Sequence, residues 1–293
     1  GVVASLGRLP RVQPAAKSTL PHRCRDANRF RARAQLRSEL EGGLRVTQGA
    51  TLPKKKVLLL GASGLIGPFL TPGLVDDYDL KLADVKAHPD GVEVEYVDVT
   101  DYAQVRAAAE GTEAIMNFTV NRSDADLSFH VNTRGAWNVM RAAAELGIGK
   151  VVHSGPQVHR QANDHDFDID DPPGAPGTGL YSCSKMLSRE ICRSFALAHD
   201  IQVVCFLFNG LHPAVEEPLI ERDIPPFTVV WEDLHLACKQ ALEVESVPGN
   251  YQEFNLHSHL GQEKYLVDKA RRLLGFEPVR NVAAMYRRPV EGV

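Results

Sequence analysis

The sequence predicts an α/β fold, a doubly wound parallel sheet with a small C-terminal part, and three observations carry that reading. Short apolar runs alternate with helical patterns from residue 53 onward. The first run, Val57-Leu58-Leu59-Leu60, passes directly into glycines at 61, 64 and 67. Far downstream, after a long polar loop, Tyr181-Ser182-Cys183-Ser184-Lys185 opens a helix.

In chain order, residues 57–60 lack alternation, as expected of a strand buried on both faces. The helix that should follow the glycines contains Pro72 and Gly73. A proline inside a helix costs roughly 3 kcal/mol or kinks it, so a short or bent helix is expected. Residues 80–85 and 92–97 read as strands two and three, and the Ala-rich stretch 102–110 as a helix. Strand four is expected at 114–120. A long helix is expected at 125–146, with Phe129, Val131, Ala136, Val139 and Met140 among its apolar positions. Strand five is placed at 150–153, followed by a loop at 161–179 rich in Asp, Pro and Gly and long enough to suggest function. A helix at 181–199 and strand six at 201–208 complete the regular pattern. After Asn209 it loosens into helices at 231–242 and 263–274 and a short strand at 251–256. Residues 209–293 are too few for an independent domain and are expected to form a substrate-binding lid over the sheet's carboxyl edge.

Composition narrows the function classes. With 293 residues, 44% hydrophobic and 24% charged, the chain can bury a large core without metals or disulfides. A net charge of -4 gives no basic field for nucleic acid, and the aromatic residues are scattered. No apolar run approaches the ~18 residues that span a bilayer. The cysteines, at 24, 183, 192, 205 and 238, are odd in number and show no CxxC spacing, which suggests reduced thiols and a cytoplasmic setting. Residues 1–52 stand apart: they are rich in arginine and carry no acidic residue before Asp26. They read as a disordered extension or as an organelle-import segment.

The chemistry is carried by three signals. In Gly61-Ala62-Ser63-Gly64-Leu65-Ile66-Gly67, the glycines permit a tight turn and a close approach of backbone to pyrophosphate. The following helix N-terminus offers free N–H groups to the anion. Ser63, Leu65 and Ile66 supply further backbone to this cradle. The spacing is GxxGxxG rather than the GxGxxG of the general Rossmann fingerprint. Asp84 ends strand two about twenty residues past the turn, where a carboxylate can hold the adenosine ribose hydroxyls and repel a 2′-phosphate. That favours NAD. Asp98, with Val99 beside it, ends strand three and could meet the adenine amine; Asp98 and Asp101 could equally cap the next helix. Tyr181 and Lys185 form an i,i+4 pair on one helix face. A neighbouring ammonium would lower the phenol from its ordinary value of about 10, making it a base for an alcohol proton while hydride leaves carbon.

Taken together, residues 54 to about 280 resemble the extended short-chain dehydrogenase/reductase family, the NAD-dependent epimerase/dehydratase group. The resemblance implies that Tyr181 takes the proton, and that Lys185 holds the nicotinamide ribose and tunes the phenol. It further implies that Asn132, in Val131-Asn132-Thr133-Arg134-Gly135, organises a relay water. Asp233 matches a recurrent helix start, read as a cap, and Leu274-Gly275-Phe276-Glu277-Pro278 matches a segment that often closes these chains. There are departures. The family hydroxyl position after strand five falls on Gly155, so Ser154, one place earlier, is the expected alcohol hydrogen-bond donor. His153 and His159 are read as packing or rim residues. Asn117-Phe118-Thr119 replaces a common His-Leu-Ala, and the arginine that many relatives show after strand six is missing, with Leu207 near its place. The short C-terminal part is closest in size to uronate dehydrogenase-like members, implying a small carbohydrate-like substrate. Relatives often form homodimers through the helices bearing the positions of Asn132 and Tyr181. The competing expectation is a non-catalytic NAD-sensing or scaffold protein of the same fold.

Overall fold

The computed structural model describes residues 53–156, 177–217, 224, 228–259, 265–280, 282 and 285. All lie within the unit Pro53–Val293. The N-terminal extension, His159 and most of the polar loop at 161–179 fall outside the described residues.

Seven strands form one parallel sheet in the order β3-β2-β1-β4-β5-β6-β9. They are β1 (Lys56–Leu60), β2 (Asp79–Asp84), β3 (Glu95–Tyr96), β4 (Ala114–Asn117), β5 (Lys150–Pro156), β6 (Gln202–Phe208) and β9 (Tyr251–Asn255). β1 places Leu60 opposite Ala83 on one side and Asn117 on the other. The winding direction reverses between β1 and β4, which opens a crevice at their carboxyl ends.

Helices cover both faces. Leu59, Met116, Val152, Phe206 and Phe254 pack under α1 (Gly67–Leu74), α6 (Trp231–Glu243) and α7 (Asp268–Leu274). Leu58, Leu60, Ile115, Val151 and Val203 pack under α2 (Tyr102–Ala109), α4 (Gly135–Leu146) and α5 (Leu180–Ala198). This two-sided burial is why β1 and β6 read as unbroken apolar runs. α1 is short, with Pro72 inside it. Gly73 has a packing reason: a Cβ there would lie 2.2 Å from the His235 ring of α6. α5 is tied to β9 by Arg189, whose guanidinium Nε donates to Glu253 Oε1 at 2.8 Å.

Several expectations are corrected. Strand three spans only Glu95–Tyr96, and strand four stops at Asn117. The helix expected at 125–146 is broken into α3 (Ala125–Phe129), a π-helical turn (His130–Arg134) and α4. An apolar period of 3.6 cannot report one inserted residue. Helix 263–274 reduces to Asp268–Leu274 among the described residues. The C-terminal part is not simply a lid. β9 completes the main sheet, and α6 and α7 share the core of α1. What lies beyond the carboxyl end of β6 is a two-stranded parallel pair, β7 (Gly210–His212) with β8 (Thr228–Val230), and a small cluster of Ile224, Val230, Val282 and Met285. Asp233 is buried within α6 and does not cap it; its Oδ1 accepts from Val279 N at 2.7 Å and ties the C-terminal segment down.

Candidate active site

The glycine turn is built to exclude side chains. Gly61 has φ +87°, and a Cβ there would sit 2.9 Å from the Phe118 carbonyl carbon of the neighbouring strand exit. At Gly67 a Cβ would lie 2.3 Å from Ala62 O, so α1 can begin this close to β1 only with glycine. At Gly64 it would lie 3.3 Å from Gly61 O. The Gly61 and Ala62 amides donate to Ala83 O at 3.0 and 3.2 Å. Asp84 braces the turn from the end of β2: its Oδ2 accepts from Ser63 N and its Oδ1 from Lys86 N, both at 3.0 Å. Each carboxylate oxygen retains lone-pair capacity for a ribose hydroxyl. Ser63 Oγ is buried without a hydrogen-bond partner among the described residues. Leu65 is exposed and Ile66 is half-buried at the N-cap of α1; Pro68 has no N–H and the Phe69 and Leu70 amides donate to Ile66 O, each at 3.0 Å, so the donors this helix start can offer an anion are the amides ahead of Pro68.

At the end of β3 the capping role belongs to Asp101, which accepts from Ala103 N at 2.8 Å. Asp98 instead closes a turn by accepting from Thr100 N at 2.8 Å. Val99 packs against Gly135, and its carbonyl accepts from Asn138 Nδ2 at 2.7 Å.

The first turns of α5 carry Tyr181 and Lys185. Lys185 is fully buried and its Nζ has no hydrogen-bond partner among the described residues. Burial lowers the ammonium to about 8, with the Cys205 and Cys192 thiols opposing and Arg122 and Arg189 adding to the fall. Burial raises the Tyr181 phenol, and Arg122 opposes it. Arg122 is thus a cation beside the phenol that the spacing did not predict. Arg122 Nη2 lies 3.4 Å from Tyr181 Oη, and its guanidinium carbon 4.5 Å from the ring centroid.

Arg122 comes from the loop after β4, and Asn132 of the π-helical turn fixes that loop. Asn132 Oδ1 accepts from Asn121 N at 2.9 Å, and its Nδ2 donates to Asn121 O and to Ser184 Oγ of α5, each at 2.9 Å. Asn121 Oδ1 accepts from Ser128 Oγ at 2.9 Å and from the amides of Ser123 and Asp124. The buried Asn132 amide thus acts as a clamp, and its donors are spent on protein groups. π-turns recur at functional sites because they redirect one turn of side chains. Asn121, Arg122 and Ser184 were not found by sequence reasoning. The available signal was position, a polar loop at the carboxyl end of β4, next to the switch point.

Strand β5 sets where Ser154 points. Side chains alternate across a sheet. His153 faces α5, with Nε2 3.0 Å from Ser188 Oγ. Gly155 also faces α5: a Cβ there would meet Leu207 Cδ2 at 2.9 Å and Arg189 Cδ at 3.1 Å. Ser154 leaves on the opposite face, where its hydroxyl donates to Asn117 O at 3.4 Å. A side chain at the position that faces α5 would require Leu207 and Arg189 to shift. Burial holds the His153 imidazole well below its ordinary value, with Lys185 and Arg189 adding to the effect, so it is neutral.

Among the described residues no group of three or more His, Cys, Asp or Glu could hold a metal ion, and no helix is long and apolar enough to cross a membrane.

A family model described as "NAD dependent epimerase/dehydratase family" matches residues 57–213. An uncharacterized protein, YtbQ, of Bacillus subtilis is 26% identical over 262 residues, covering 81% of this chain and 99% of its own. An NAD-dependent glucose-6-phosphate dehydrogenase of Haloferax volcanii is 28% identical over 258 residues, covering 78% and 94%. Among solved structures, a mutated uronate dehydrogenase superposes with a TM-score of 0.63 at 19% identity, covering 78% of this chain and 82% of its own.

Proposed function

We propose that this chain, which belongs to the NAD-dependent epimerase/dehydratase family of extended short-chain dehydrogenases/reductases, oxidises or epimerises a sugar-like alcohol through Tyr181 and Lys185. The observation that carries the reading is the buried, unpartnered Lys185 Nζ one helical turn from the Tyr181 phenol. A buried ammonium without an acceptor is costly. Such a group fits a site completed by a ligand's hydroxyls.

The residues present fit NAD. Gly61 and Gly67 let the turn close tightly on the Phe118 and Ala62 backbone, so that a pyrophosphate would meet the exposed Gly64 and the amides ahead of Pro68 at the start of α1. Asp84 keeps lone pairs for the ribose of the adenosine half, and its charge disfavours a 2′-phosphate. Asp98 and Val99 lie at the β3 end of the same edge, within reach of an adenine in this reading. Lys185 would hold the nicotinamide ribose. Bound NAD supplies the acceptor for the hydride.

Tyr181 Oη accepts the proton of the substrate hydroxyl. Burial works against the phenolate, and three positive charges work for it: Arg122, the Lys185 ammonium and the nicotinamide ring. Asn132 serves this step indirectly, by holding the loop that carries Arg122. The names of the Haloferax relative and of the uronate dehydrogenase neighbour favour a sugar or sugar acid as substrate.

The deciding experiment follows nicotinamide fluorescence with the full chain, NAD and a panel of sugars and uronic acids. Growth of NADH identifies a dehydrogenase. Conversion of a sugar to its epimer without net NADH identifies an epimerase. NAD binding with no conversion of any sugar would leave the non-catalytic NAD-binding protein as the better account.

A further inference from the structure

Arg122 is an exposed arginine at the reacting end of the site, and its position is built rather than incidental. Its backbone follows Asn121, whose N–H and C=O are both bound by the Asn132 amide and whose side chain is bound by Ser128, Ser123 and Asp124. The same Asn132 amide reaches Ser184 on α5, so the loop and the helix of Tyr181 are locked to each other. The guanidinium then lies against the phenol.

What it lacks is an acid. Among the described residues Arg122 makes no ion pair. Asp124, on its own loop, is committed to capping α3 by accepting from Leu127 N at 2.7 Å. By contrast Arg189, one turn below Lys185, is paired with Glu253, and Arg141, on the outer surface, is paired with Glu145. A planar fork of donors with only a phenol in front of it is suited to a bidentate oxyanion.

We infer that Arg122 is the specificity residue for an acidic group on the substrate, a phosphate or carboxylate carried within a sugar ring's width of the reacting carbon. The inference rests on the proposed sugar chemistry and deepens it. Leu207, near the place where many relatives show an arginine, is only 2% exposed and part of the core, so it offers no charge to such a group. Arg122, from the loop after β4, supplies one.

The test compares kcat/KM of the full chain with NAD for glucose, glucose 6-phosphate, glucuronate and UDP-glucose, in wild type and in Arg122→Met. Methionine keeps apolar contact with the Tyr181 ring and removes the charge. Any effect on the phenol is common to all substrates and cancels in the anionic-to-neutral ratio. Wild type is expected to prefer one anionic sugar over glucose, and the phosphate, carboxylate and nucleotide arms identify which anion. In Arg122→Met that ratio should fall about 10- to 100-fold, mainly through KM. NADH affinity, read by fluorescence titration, should stay unchanged. An unchanged ratio, a wild-type preference for glucose, or a weakened NADH affinity with the preference intact would overturn the inference. If no sugar is turned over, the proposed function fails, yet Arg122 can still be judged by calorimetry on the NAD-saturated protein. Tighter binding of an anionic sugar than of glucose, lost in Arg122→Met, upholds the inference; equal binding overturns it.

Discussion

The glycine turn and the α5 cluster lie at the same edge of one sheet and are built on opposite plans. At the turn, backbone does the work. Gly61, Gly64 and Gly67 let the backbone close on itself, and the half-buried carboxylate of Asp84 braces the strand exit through two amides. At α5, side chains do the work: Tyr181 is set against Arg122, Lys185 is buried alone, and Asn132 clamps the loop between them. The first region should therefore tolerate changes of chemistry and resist any added Cβ. The second should tolerate modest changes of volume and resist the loss of single polar atoms.

The sharpest way to break this contrast is Tyr181→Phe. It removes one oxygen and keeps the ring, so kcat should fall about 10²–10⁴-fold while NADH affinity and melting temperature stay near wild type. Wild-type rates on an identified substrate would remove Tyr181 from the mechanism.

Lys185→Met separates function from stability. Turnover and NAD affinity should drop, but the apo protein should melt at a higher temperature, because a buried unpaired ammonium is replaced by an apolar chain. The pH dependence fixes the sign. The Lys185 pKa is lowered in the fold from 10.5 to about 8. Across that interval the unfolded chain holds a proton that the folded one has released, so wild-type stability rises with pH from about 8 to 10.5. The advantage of Lys185→Met should therefore shrink toward alkaline pH. A variant that melts below wild type at pH 7 and shows no such convergence would mean that Lys185 is a structural partner.

At the turn, Gly67→Ala should cost about 1–3 kcal/mol, since the new methyl meets the Ala62 backbone and not a movable side chain. Denaturant unfolding and NADH titration should both register it. A neutral result at Gly67 would remove the steric basis of the contrast.

Asp84→Ser is smaller. It deletes the charge and weakens the brace on Ser63 and Lys86, and should narrow the preference for NADH over NADPH about tenfold. Tighter NADPH than NADH binding in wild type would displace Asp84 from the ribose. The smallest effect is expected at Ser154→Ala, with kcat within about threefold of wild type, because the hydroxyl leaves β5 on the face away from α5 and makes only a long bond to Asn117 O. A loss of 10²-fold or more would mean that the β5 carboxyl end turns Ser154 toward the substrate.

What the sequence determined by itself is whatever has a short range along the chain. A strand buried on both faces reads as an apolar run, a tight turn reads as glycines, and a helix face reads as i,i+4; hence β1, the 61–67 turn, Asp84 and the Tyr181–Lys185 pair could be placed from residue types alone. The tertiary structure decided what depends on groups distant in sequence. It set Arg122 on Tyr181, 59 residues away, and Asn132 on Ser184, 52 residues away. It folded 251–255 into the main sheet beside β6 rather than into a lid. It also fixed the face of β5 on which Ser154 emerges, through the packing of His153 and Gly155 against α5. Alternation along a strand says which residues share a face, but only the helix packed on the sheet says which face meets the substrate.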